Sequence, residues 1–461
     1  MSPDASQPGG RGTVRYCVVG GGISGLVAAY RIRSAVGEQA DITVFDPADR
    51  PGGVLRTERL GGQPVDIGAE AFIARRPEVP ALLAELGLTD RLIGTTGVRP
   101  VVYSQDRLHP LPVGTVNGIP SSAESVTGLV DAATCAQIAD EPDRTLRWQP
   151  GSDPALGDVV ADRFGDQVVA RSVDPLVAGV YAGSAAGIGM RSAVPTVAAA
   201  LDAGAASLTE AVRAVLPGAG SGPVFGALDG GYQVLLDALM VRAGAHWVQA
   251  PVCRITAAGA GWELHDDTGR TRQADAVVLA VPAPQAAALL VDLAPHAAAA
   301  AGRIPVASAA VLAMAVEPGT PFPAQSGVLV ATGEPLHAKA ITLTTRKWGA
   351  RGDVELLRMS FGRFGDDIAG ADDHQLQSWA RDDLAAVFGI DVDPIEVLIH
   401  RWIDALPQYA PGHGDLIAAI RVGLPATLAV AGNYLDGVGV PACVAAAGQA
   451  AAAVVAATVP D

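Results

Sequence analysis

The sequence predicts an α/β protein of two or more domains, one of which is a doubly wound domain that binds a dinucleotide. Three observations predict it: the chain length, the apolar composition, and a glycine motif between a strand and a helix. A chain of 461 residues exceeds the ~250–300 residues at which single cores stop growing. Its composition, with 49% hydrophobic and 17% charged residues, suits a large buried core and excludes disorder as the main state.

The first strand and the helix after it enclose the glycine motif. Residues 14–19, VRYCVV, are typical of a buried parallel strand, and GGGISG follows at once. In this G-x-G-x-x-G sequence Gly20 allows a tight turn, Gly22 lets the backbone approach a pyrophosphate, and Gly25 lets the following helix pack on the strand. The helix N-terminus adds free N–H groups for the phosphates. The predicted cofactor-binding residues here are Gly20, Gly21, Gly22, Ile23, Ser24 and Gly25.

The second predicted strand ends in an acidic residue. The run DITVFD places Asp46 after the helix, where a carboxylate accepts hydrogen bonds from the ribose hydroxyls of an adenosine. Strand, glycine motif, helix, strand and acid in this order predict a dinucleotide site rather than an ordinary glycine turn.

The segment after Asp46 indicates which dinucleotide is bound. It contains R-x-G-G, a predicted hairpin, and then D-x-G-A-E at residues 66–70. This arrangement resembles the second phosphate-contact segment of FAD-binding oxidases such as amine oxidases, phytoene desaturases and porphyrinogen oxidases, which NAD dehydrogenases lack. The resemblance implies that one loop closes over the pyrophosphate and that the D-x-G-A-E backbone lies against the isoalloxazine ring. The implied FAD-binding residues are Arg50, Gly52, Gly53, Val54, Ile67, Gly68, Ala69 and Glu70.

The C-terminal residues are predicted to complete the same site. LAVAGNYLDGVGVPACVAAAGQAA is typical of a strand, a glycine-rich turn and a helix that starts near Pro441, whose N-terminus would face the cofactor. In the resembling proteins this segment runs under the flavin, where the positive helix end stabilises the reduced anion. The resemblance also places Val252 near the adenine and Trp402 beside the flavin, and it places Ala280 at a strand end in the segment that forms the middle contribution to the FAD-binding domain. The implied residues of the C-terminal turn are Gly432, Asn433, Gly439, Val440 and Pro441.

Further segments narrow the resemblance. They include RPVVYSQDRLHPLPVGTVNGIPSS (residues 99–122), DVVADRFGDQVVARSVDPLVAGVYAG (158–183) and HRWIDALPQYAPGHG (400–414). In this order, and over nearly the whole chain, they are similar to the soluble, actinobacterial type of the oxygen-dependent coproporphyrinogen III oxidase and protoporphyrinogen oxidase family. That family lies within the FAD-dependent amine oxidase-like superfamily.

The resemblance implies three domains and a flexible N-terminal arm at residues 1–13. The first is a Rossmann-like, glutathione-reductase-type FAD-binding domain, the second a mixed-sheet substrate-binding domain, and the third an α-helical domain similar to the membrane-docking domain of relatives. Their implied boundaries are 14–90, 215–300 and 403–461 for the FAD-binding domain, 91–104 and 301–402 for the substrate-binding domain, and 105–212 for the helical domain.

The implied activity is oxidation of coproporphyrinogen III to coproporphyrin III by non-covalently bound FAD, with O₂ as acceptor, in coproporphyrin-dependent haem biosynthesis. Six electrons leave the substrate and three H₂O₂ form, and no acid/base residue is demanded because positioning dominates. A transient contact with a coproporphyrin ferrochelatase is implied by the family alone. The alternatives are protoporphyrinogen IX or both substrates, a flavin amine oxidase or desaturase, and an FAD-binding protein without turnover.

The charge pattern bears on the substrate. A net charge of −16 disfavours nucleic acid and anionic membranes as partners, yet coproporphyrinogen carries four propionates and needs local arginines. The resemblance places Arg56, Arg76 and Arg99 in the substrate site, with solvated surface arginines as the alternative. Leu329, Met359 and Ser360 flank the implied porphyrin site, although core packing also explains them. Lys347 would matter for an amine oxidase, and a surface lysine is its alternative interpretation.

The ends and the cysteines predict a reducing cytoplasm. The N-terminal MSPDASQPGGRG lacks the apolar region of a secretory signal. The apolar stretch at residues 438–459 is mostly alanine, so we expect no transmembrane helix. Cys17, Cys135, Cys253 and Cys443 have no metal-ligand spacing, and we expect four inert thiols and no metal site.

Overall fold

A five-stranded parallel sheet forms the centre of the dinucleotide-binding unit in the computed structural model, which describes residues 13–218 and 224–459. Strands and helices are numbered in chain order. From edge to edge the sheet contains β12 (His246–Gln249), β2 (Ala40–Asp46), β1 (Val14–Val19), β16 (Ala276–Leu279) and β22 (Leu428–Val430), all in parallel pairs. The strand order reverses between β1 and β16, as in a doubly wound fold. The predicted arm at residues 1–13 lies outside the described residues, apart from Thr13.

Both faces of this sheet are covered, which is why its strands are continuous apolar runs. In β1, Tyr16 and Val18 point into one core, and Cys17 and Val19 point into the other. The first core includes α1 (Ile23–Val36), α2 (Glu78–Leu86), α10 (Gln233–Ala243) and α16 (Val440–Thr458). The second includes an antiparallel sheet and three helices: β13 (Val252–Ala258), β14 (Gly261–Asp266), β15 (Thr271–Ala274), α11 (Ala283–Leu290), α12 (Pro295–Ala301) and α15 (His413–Val422).

The C-terminal helix α16 packs in the core of this unit. Within the described ranges it is the one helix that is long and apolar enough to cross a membrane, and 56% of its apolar stretch is buried inside the protein. Its buried residues join the core that contains α1 and β1. Packing against the sheet therefore accounts for its apolar composition.

A seven-stranded mixed sheet forms a second layered unit. Its order is β21 (Glu396–Pro407), β17 (Val306–Val316), β20 (Glu355–Phe361), β19 (Ala338–Thr342), β18 (Gly327–Val330), β7 (Val101–Ser104) and β8 (Arg107–Pro110). Only the pair of β18 and β7 is parallel among these neighbours. Helix α14 (Asp373–Phe388) covers one face, and α13 (Thr344–Trp348) follows β19. The predicted mixed sheet is confirmed.

A helical unit with its own apolar core lies between these elements in sequence. Its helices are α3 (Ala132–Ala139), α4 (Leu156–Phe164), α5 (Asp166–Val168), α6 (Asp174–Tyr181), α7 (Met190–Ala193), α8 (Pro195–Asp202) and α9 (Leu208–Ala214), with a π-helical turn at Val169–Val173. Arg163 and Glu141 form a buried ion pair, with Nε 2.8 Å from Oε1. The Glu141 carboxylate also accepts the Leu208 and Thr209 amides and so caps α9.

Short sheets connect these units. They are β3 (Thr57–Leu60) with β4 (Gln63–Asp66), β5 (Phe72–Ile73) and β6 (Leu92–Gly94) on either side of β11 (Phe225–Leu228), and β9 (Thr115–Val116) with β10 (Ile119–Pro120). Because β6 pairs with β11, residues 92–94 pack beside the dinucleotide-binding unit. Gln105 and Asp106 adopt positive φ in a tight turn, so β8 returns to the mixed sheet beyond residue 104. Strand β21 likewise continues past residue 402. The functions assigned to the three domains stay predictions.

The buried pair of Arg163 and Glu141 generates a stability prediction. Glu141→Ala leaves a guanidinium without its carboxylate in a site where both side chains are at most 3% exposed. We expect a loss of roughly 3–5 kcal/mol in the free energy of unfolding of the helical unit, measured by urea denaturation. Glu85→Ala is the control, because its pair with Arg31 is about one-third exposed on each side, and it should cost less than about 1 kcal/mol. Equal losses would contradict the account.

Candidate functional site

The glycine turn after β1 requires glycine because backbones meet there. Gly20 has φ of 107°, and a Cβ at this position would lie 2.4 Å from the Ala280 carbonyl oxygen. A Cβ at Gly25 would lie 1.9 Å from the Gly20 oxygen. Both contacts are too close for any side chain, so the turn is tight and α1 packs directly on β1.

The predicted acidic residue braces the same turn. Asp46 ends β2 and accepts the Gly21 amide at 2.6 Å through Oδ2 and the Ala48 amide at 2.8 Å through Oδ1. Each oxygen keeps a further lone pair for an external donor. The indole ring of Trp247, on β12, packs on Gly21 so closely that a Cβ there would lie 2.2 Å from it. Sequence reasoning missed Trp247, and the only signal was an aromatic residue in a short strand.

The second glycine segment packs on the first. The Gly52 amide donates to the Gly21 carbonyl at 2.8 Å, and Gly22 and Gly52 form an isolated parallel bridge. A Cβ at Gly53 would lie 3.1 Å from the Gly22 Cα. The Arg50 guanidinium donates to the carbonyls of Pro51, Leu55 and Gly53, each at 3.0 Å. Arg50 therefore stabilises this loop, in which the Val54 side chain is exposed. The contact of Arg50 with a phosphate stays a prediction.

The D-x-G-A-E segment lies against the mixed sheet. The Ile67 carbonyl accepts the Trp402 indole N–H at 2.9 Å, and the Gly68 carbonyl accepts Arg358 Nη2 at 2.8 Å. A Cβ at Gly68 would lie 1.8 Å from the Val54 oxygen. Ala69 follows in the same stretch, half-buried beside the first core. Trp402, expected beside the flavin, thus touches the segment expected to carry the flavin ring.

Glu70 anchors a buried charge cluster at the end of this segment. Its Oε2 lies 2.6 Å from Lys347 Nζ, its Oε1 accepts the Trp348 indole N–H at 3.0 Å, and Arg358 lies 3.7 Å away. Burial acts to raise the pKa of Glu70, but Lys347 and Arg358 lower it to about 2. The alternative interpretation of Lys347 as a surface lysine is therefore wrong, because its ammonium is held in this cluster. Both oxygens of Glu70 are occupied by protein donors.

Two helices begin beside these loops without side-chain caps. The N-cap residues are Gly22 for α1 and Gly439 for α16, and neither first turn contains an acidic residue. The nearest atoms to an added Cβ lie 3.9 Å away at Gly22 and 3.7 Å at Gly439, so there is space at both. Helix α1 begins with Ile23 and Ser24, and helix α16 begins with Val440 and Pro441. Both helices follow the carboxyl ends of parallel strands. The residues present therefore fit a dinucleotide whose phosphates bind backbone N–H groups.

The turn between β22 and α16 is held by hydrogen bonds from a distant segment. Gly432 has φ of 155°, and Asn433 Nδ2 donates to the Ala405 carbonyl at 3.0 Å. The Asn433 carbonyl accepts the Tyr409 hydroxyl at 2.6 Å. Tyr409 had no recognisable sequence signal.

Val252, expected near the adenine, begins β13 and is half-buried beside the second core.

One face of the mixed sheet, which we call the open face, lies toward these loops. Cross-strand partners His400, Val311, Ser360, Ala340 and Leu329 form a row on it, because directly paired residues point to the same side. A Cβ added at Gly179 of α6 would lie 4.0 Å from Leu329 Cδ2, so the helical unit borders this face.

Met359 corrects the expected substrate residues. It precedes Ser360 in β20 and therefore points to the opposite face. It is fully buried in the core beneath α14. Leu329 and Ser360 remain on the open face, so the core-packing interpretation holds for Met359 alone.

The three predicted substrate arginines have different surroundings. Arg56 donates to Glu58 at 2.6 Å and lies near His400 on the open face. Burial and the Arg56 charge lower the pKa of His400 there.

Arg76 pairs instead with Glu78 at the start of α2. Arg99 donates to the Leu111 carbonyl at 3.3 Å and lines a surface cavity together with Arg75, which sequence reasoning did not select.

Comparisons with known proteins agree with this architecture. Residues 23–455 match the family described as flavin containing amine oxidoreductase. The chain is 65% identical over 441 residues to a protein of Mycobacterium tuberculosis H37Rv named coproporphyrinogen III oxidase, covering 95% of this chain and 97% of that protein. It is 27% identical to the Bacillus subtilis protein of the same name, covering 94% and 96%. A solved Exiguobacterium sp. 255-15 protein with the provisional name protoporphyrinogen oxidase is 29% identical, with a TM-score of 0.85 and coverage of 96% and 99%.

The contact between Gly20 and Ala280 generates a prediction about cofactor binding. Gly20→Ala adds a Cβ that would lie 2.4 Å from the Ala280 oxygen, at a φ of 107°, so the turn must shift. We expect the dissociation constant for FAD to rise at least roughly tenfold, measured by titrating apoprotein and following flavin fluorescence.

Gly37→Ala is the matched control for this substitution. Gly37 also has a positive φ, lies at the far end of α1, and has nothing within 4 Å of an added Cβ. Its FAD affinity should stay near that of the unmodified protein. Equal affinities for the two variants would show that the tight turn does not shape the cofactor site.

Proposed function

The chain belongs to the family of flavin-containing amine oxidoreductases, and we propose that it oxidises coproporphyrinogen III to coproporphyrin III with FAD and O₂. The observation that carries the proposal is the 65% identity, over 95% of the chain, with mycobacterial proteins named coproporphyrinogen III oxidase. Bacillus and Staphylococcus proteins of that name also align with most of the chain. The bovine protein named protoporphyrinogen oxidase aligns at 27% identity.

The reaction removes six hydrogen atoms from the macrocycle, and three O₂ accept them as three H₂O₂. Bound FAD would accept each pair of electrons and pass it to O₂. Gly22, Gly53 and the first turns of α1 and α16 would hold its phosphates through backbone N–H groups. Asp46 would accept hydrogen bonds from the ribose.

The chain's contribution to the chemistry is positioning. Trp402 and Arg358 hydrogen-bond the Ile67 and Gly68 carbonyls and so hold that segment against the open face. The porphyrinogen would then lie between the open face and the flavin. Glu70 has a pKa of about 2, so it stays ionised and serves as an anchor rather than as a proton donor. The rate enhancement would come from holding the substrate close to the flavin in the reacting orientation.

Arginines at two edges of the mixed sheet support a substrate with several carboxylates. Arg56 lies near His400 on β21, at one edge. Arg99 and Arg75 share a cavity beside β7, toward the other edge. Bidentate guanidinium–carboxylate pairs at both places would orient the propionates. Arg76 would contribute only after releasing Glu78.

The site favours a porphyrinogen over an amine. A flavin amine oxidase uses a lysine that holds a water near the flavin, whereas Lys347 is paired with Glu70 at 2.6 Å. Protoporphyrinogen IX remains the second candidate substrate, since the Exiguobacterium protein with that provisional name shares the fold. It carries two propionates and would engage fewer arginines.

We also propose non-covalent FAD and a role in cytoplasmic, coproporphyrin-dependent haem synthesis with transient contact to a coproporphyrin ferrochelatase. Cys443 is the thiol in the first turn of α16, and burial raises its pKa to about 11. It stays a neutral thiol at physiological pH, which disfavours attack on a flavin.

Substrate preference tests the proposal. We expect kcat/KM for coproporphyrinogen III to exceed that for protoporphyrinogen IX at least roughly tenfold, because each additional guanidinium–carboxylate pair adds about 1–3 kcal/mol. The rates are measured as porphyrin fluorescence in air-saturated buffer under identical detergent conditions.

Anaerobic mixing provides the control against the other classes. Coproporphyrinogen III should bleach the flavin absorbance, whereas putrescine and benzylamine should leave it unchanged. A preference for the dicarboxylate would replace the assigned substrate, and bleaching by amines would replace the reaction class. If no reduced substrate bleaches the flavin, the protein would be one that binds FAD without turnover.

A further inference from the structure

The connection between β21 and α15 touches all three units of the protein. Tyr409 lies in it and is 3% exposed. Its hydroxyl donates to the Asn433 carbonyl at 2.6 Å and accepts the Gly437 amide at 2.9 Å. Its own carbonyl accepts the Gly189 amide of the helical unit at 2.8 Å. One residue therefore connects the helical unit with the turn that precedes α16.

Neighbouring contacts fix the Tyr409 ring. The ring stacks on His413, with centroids 3.9 Å apart and an interplanar angle of 16°. His413 Nε2 is in turn 3.2 Å from the Leu435 carbonyl. The hydroxyl therefore points to the turn from a clamped ring. Burial raises the pKa of Tyr409, so the phenol stays protonated and can donate at any physiological pH.

The Tyr409 ring also neighbours α6. The Tyr181 ring, at the end of α6, lies 5.6 Å from it between centroids. Gln408 Nε2 donates to the Tyr181 carbonyl at 2.7 Å. The same helix carries Gly179, which borders Leu329 on the open face. A continuous set of contacts thus runs from the open face through α6 to the C-terminal turn.

We infer that Tyr409 is a positioning residue that sets the C-terminal turn, and with it the N-terminus of α16, against the flavin and in register with the substrate face. The inference rests on the proposed function, because it concerns the FAD and porphyrinogen of that same site. Gly437 is two residues before Gly439, the N-cap of α16. Releasing the Gly437 amide would let the N-terminus of α16 move away from the cofactor, and its positive end would then stabilise a negative charge on bound flavin less well.

Tyr409→Phe and Tyr434→Phe form a matched pair of variants. Both remove one hydroxyl from a buried tyrosine: Tyr409 packs against the C-terminal turn, and Tyr434 lies in it. The Tyr434 hydroxyl has no hydrogen-bond partner within the described ranges, whereas the Tyr409 hydroxyl has two. The comparison separates the two hydrogen bonds from the general effect of losing a buried hydroxyl.

We expect Tyr409→Phe to raise the FAD dissociation constant roughly tenfold and to shift the flavin midpoint potential to more negative values. Tyr434→Phe should leave both unchanged. The dissociation constant comes from apoprotein titration and the potential from dye-coupled reduction, so neither depends on turnover. A Tyr409→Phe protein that loses only thermal stability, with unchanged affinity and potential, would overturn the inference.

Hydrogen exchange on the unmodified protein keeps the inference testable if Tyr409→Phe does not fold. The Gly437 amide should be protected in the apoprotein, because Tyr409 already accepts its hydrogen. Rapid exchange of that amide would overturn the inference. By contrast, the proposed function would be overturned if the unmodified protein binds no FAD, or if coproporphyrinogen III does not reduce the bound FAD.

Discussion

The close approach of backbones at the carboxyl edge of the parallel sheet is the constraint on which the site depends. Gly20 lies against the Ala280 carbonyl, and Gly52 and Gly53 pack on Gly21 and Gly22. Side chains at these positions would separate the two loops. With glycines at these positions, the second glycine segment packs directly on the start of α1, which has no side-chain cap.

This constraint reconciles an acidic chain with anionic ligands. The net charge of −16 governs solubility and long-range repulsion, but the proposed phosphate contacts are backbone amides. Several arginines near the site have short-range carboxylate partners, as with Arg56 and Glu58 or Arg76 and Glu78. The carboxylates of a multiply charged substrate would therefore displace the protein's own carboxylates from these arginines. That exchange favours selectivity between substrates over high affinity.

The sequence predicts the parts of the site that local pattern specifies. The glycine motif, Asp46 and the second glycine segment lie within one short stretch, and each has a backbone role that restricts the residue type. Tyr409, Trp247 and the pairing of Glu70 with Lys347 depend on contacts between distant segments, so no spacing reveals them. Met359 was misplaced because strand alternation fixes its face only once the pairing with β17 and β19 is known.

The yield of peroxide per porphyrin tests the central claim most directly. The FAD-loaded protein, given coproporphyrinogen III and O₂, should release three H₂O₂ for each coproporphyrin III formed, with flavin absorbance recovering after each addition. A flavin-loaded protein that forms coproporphyrin III no faster than free solution, or without peroxide, would contradict the account.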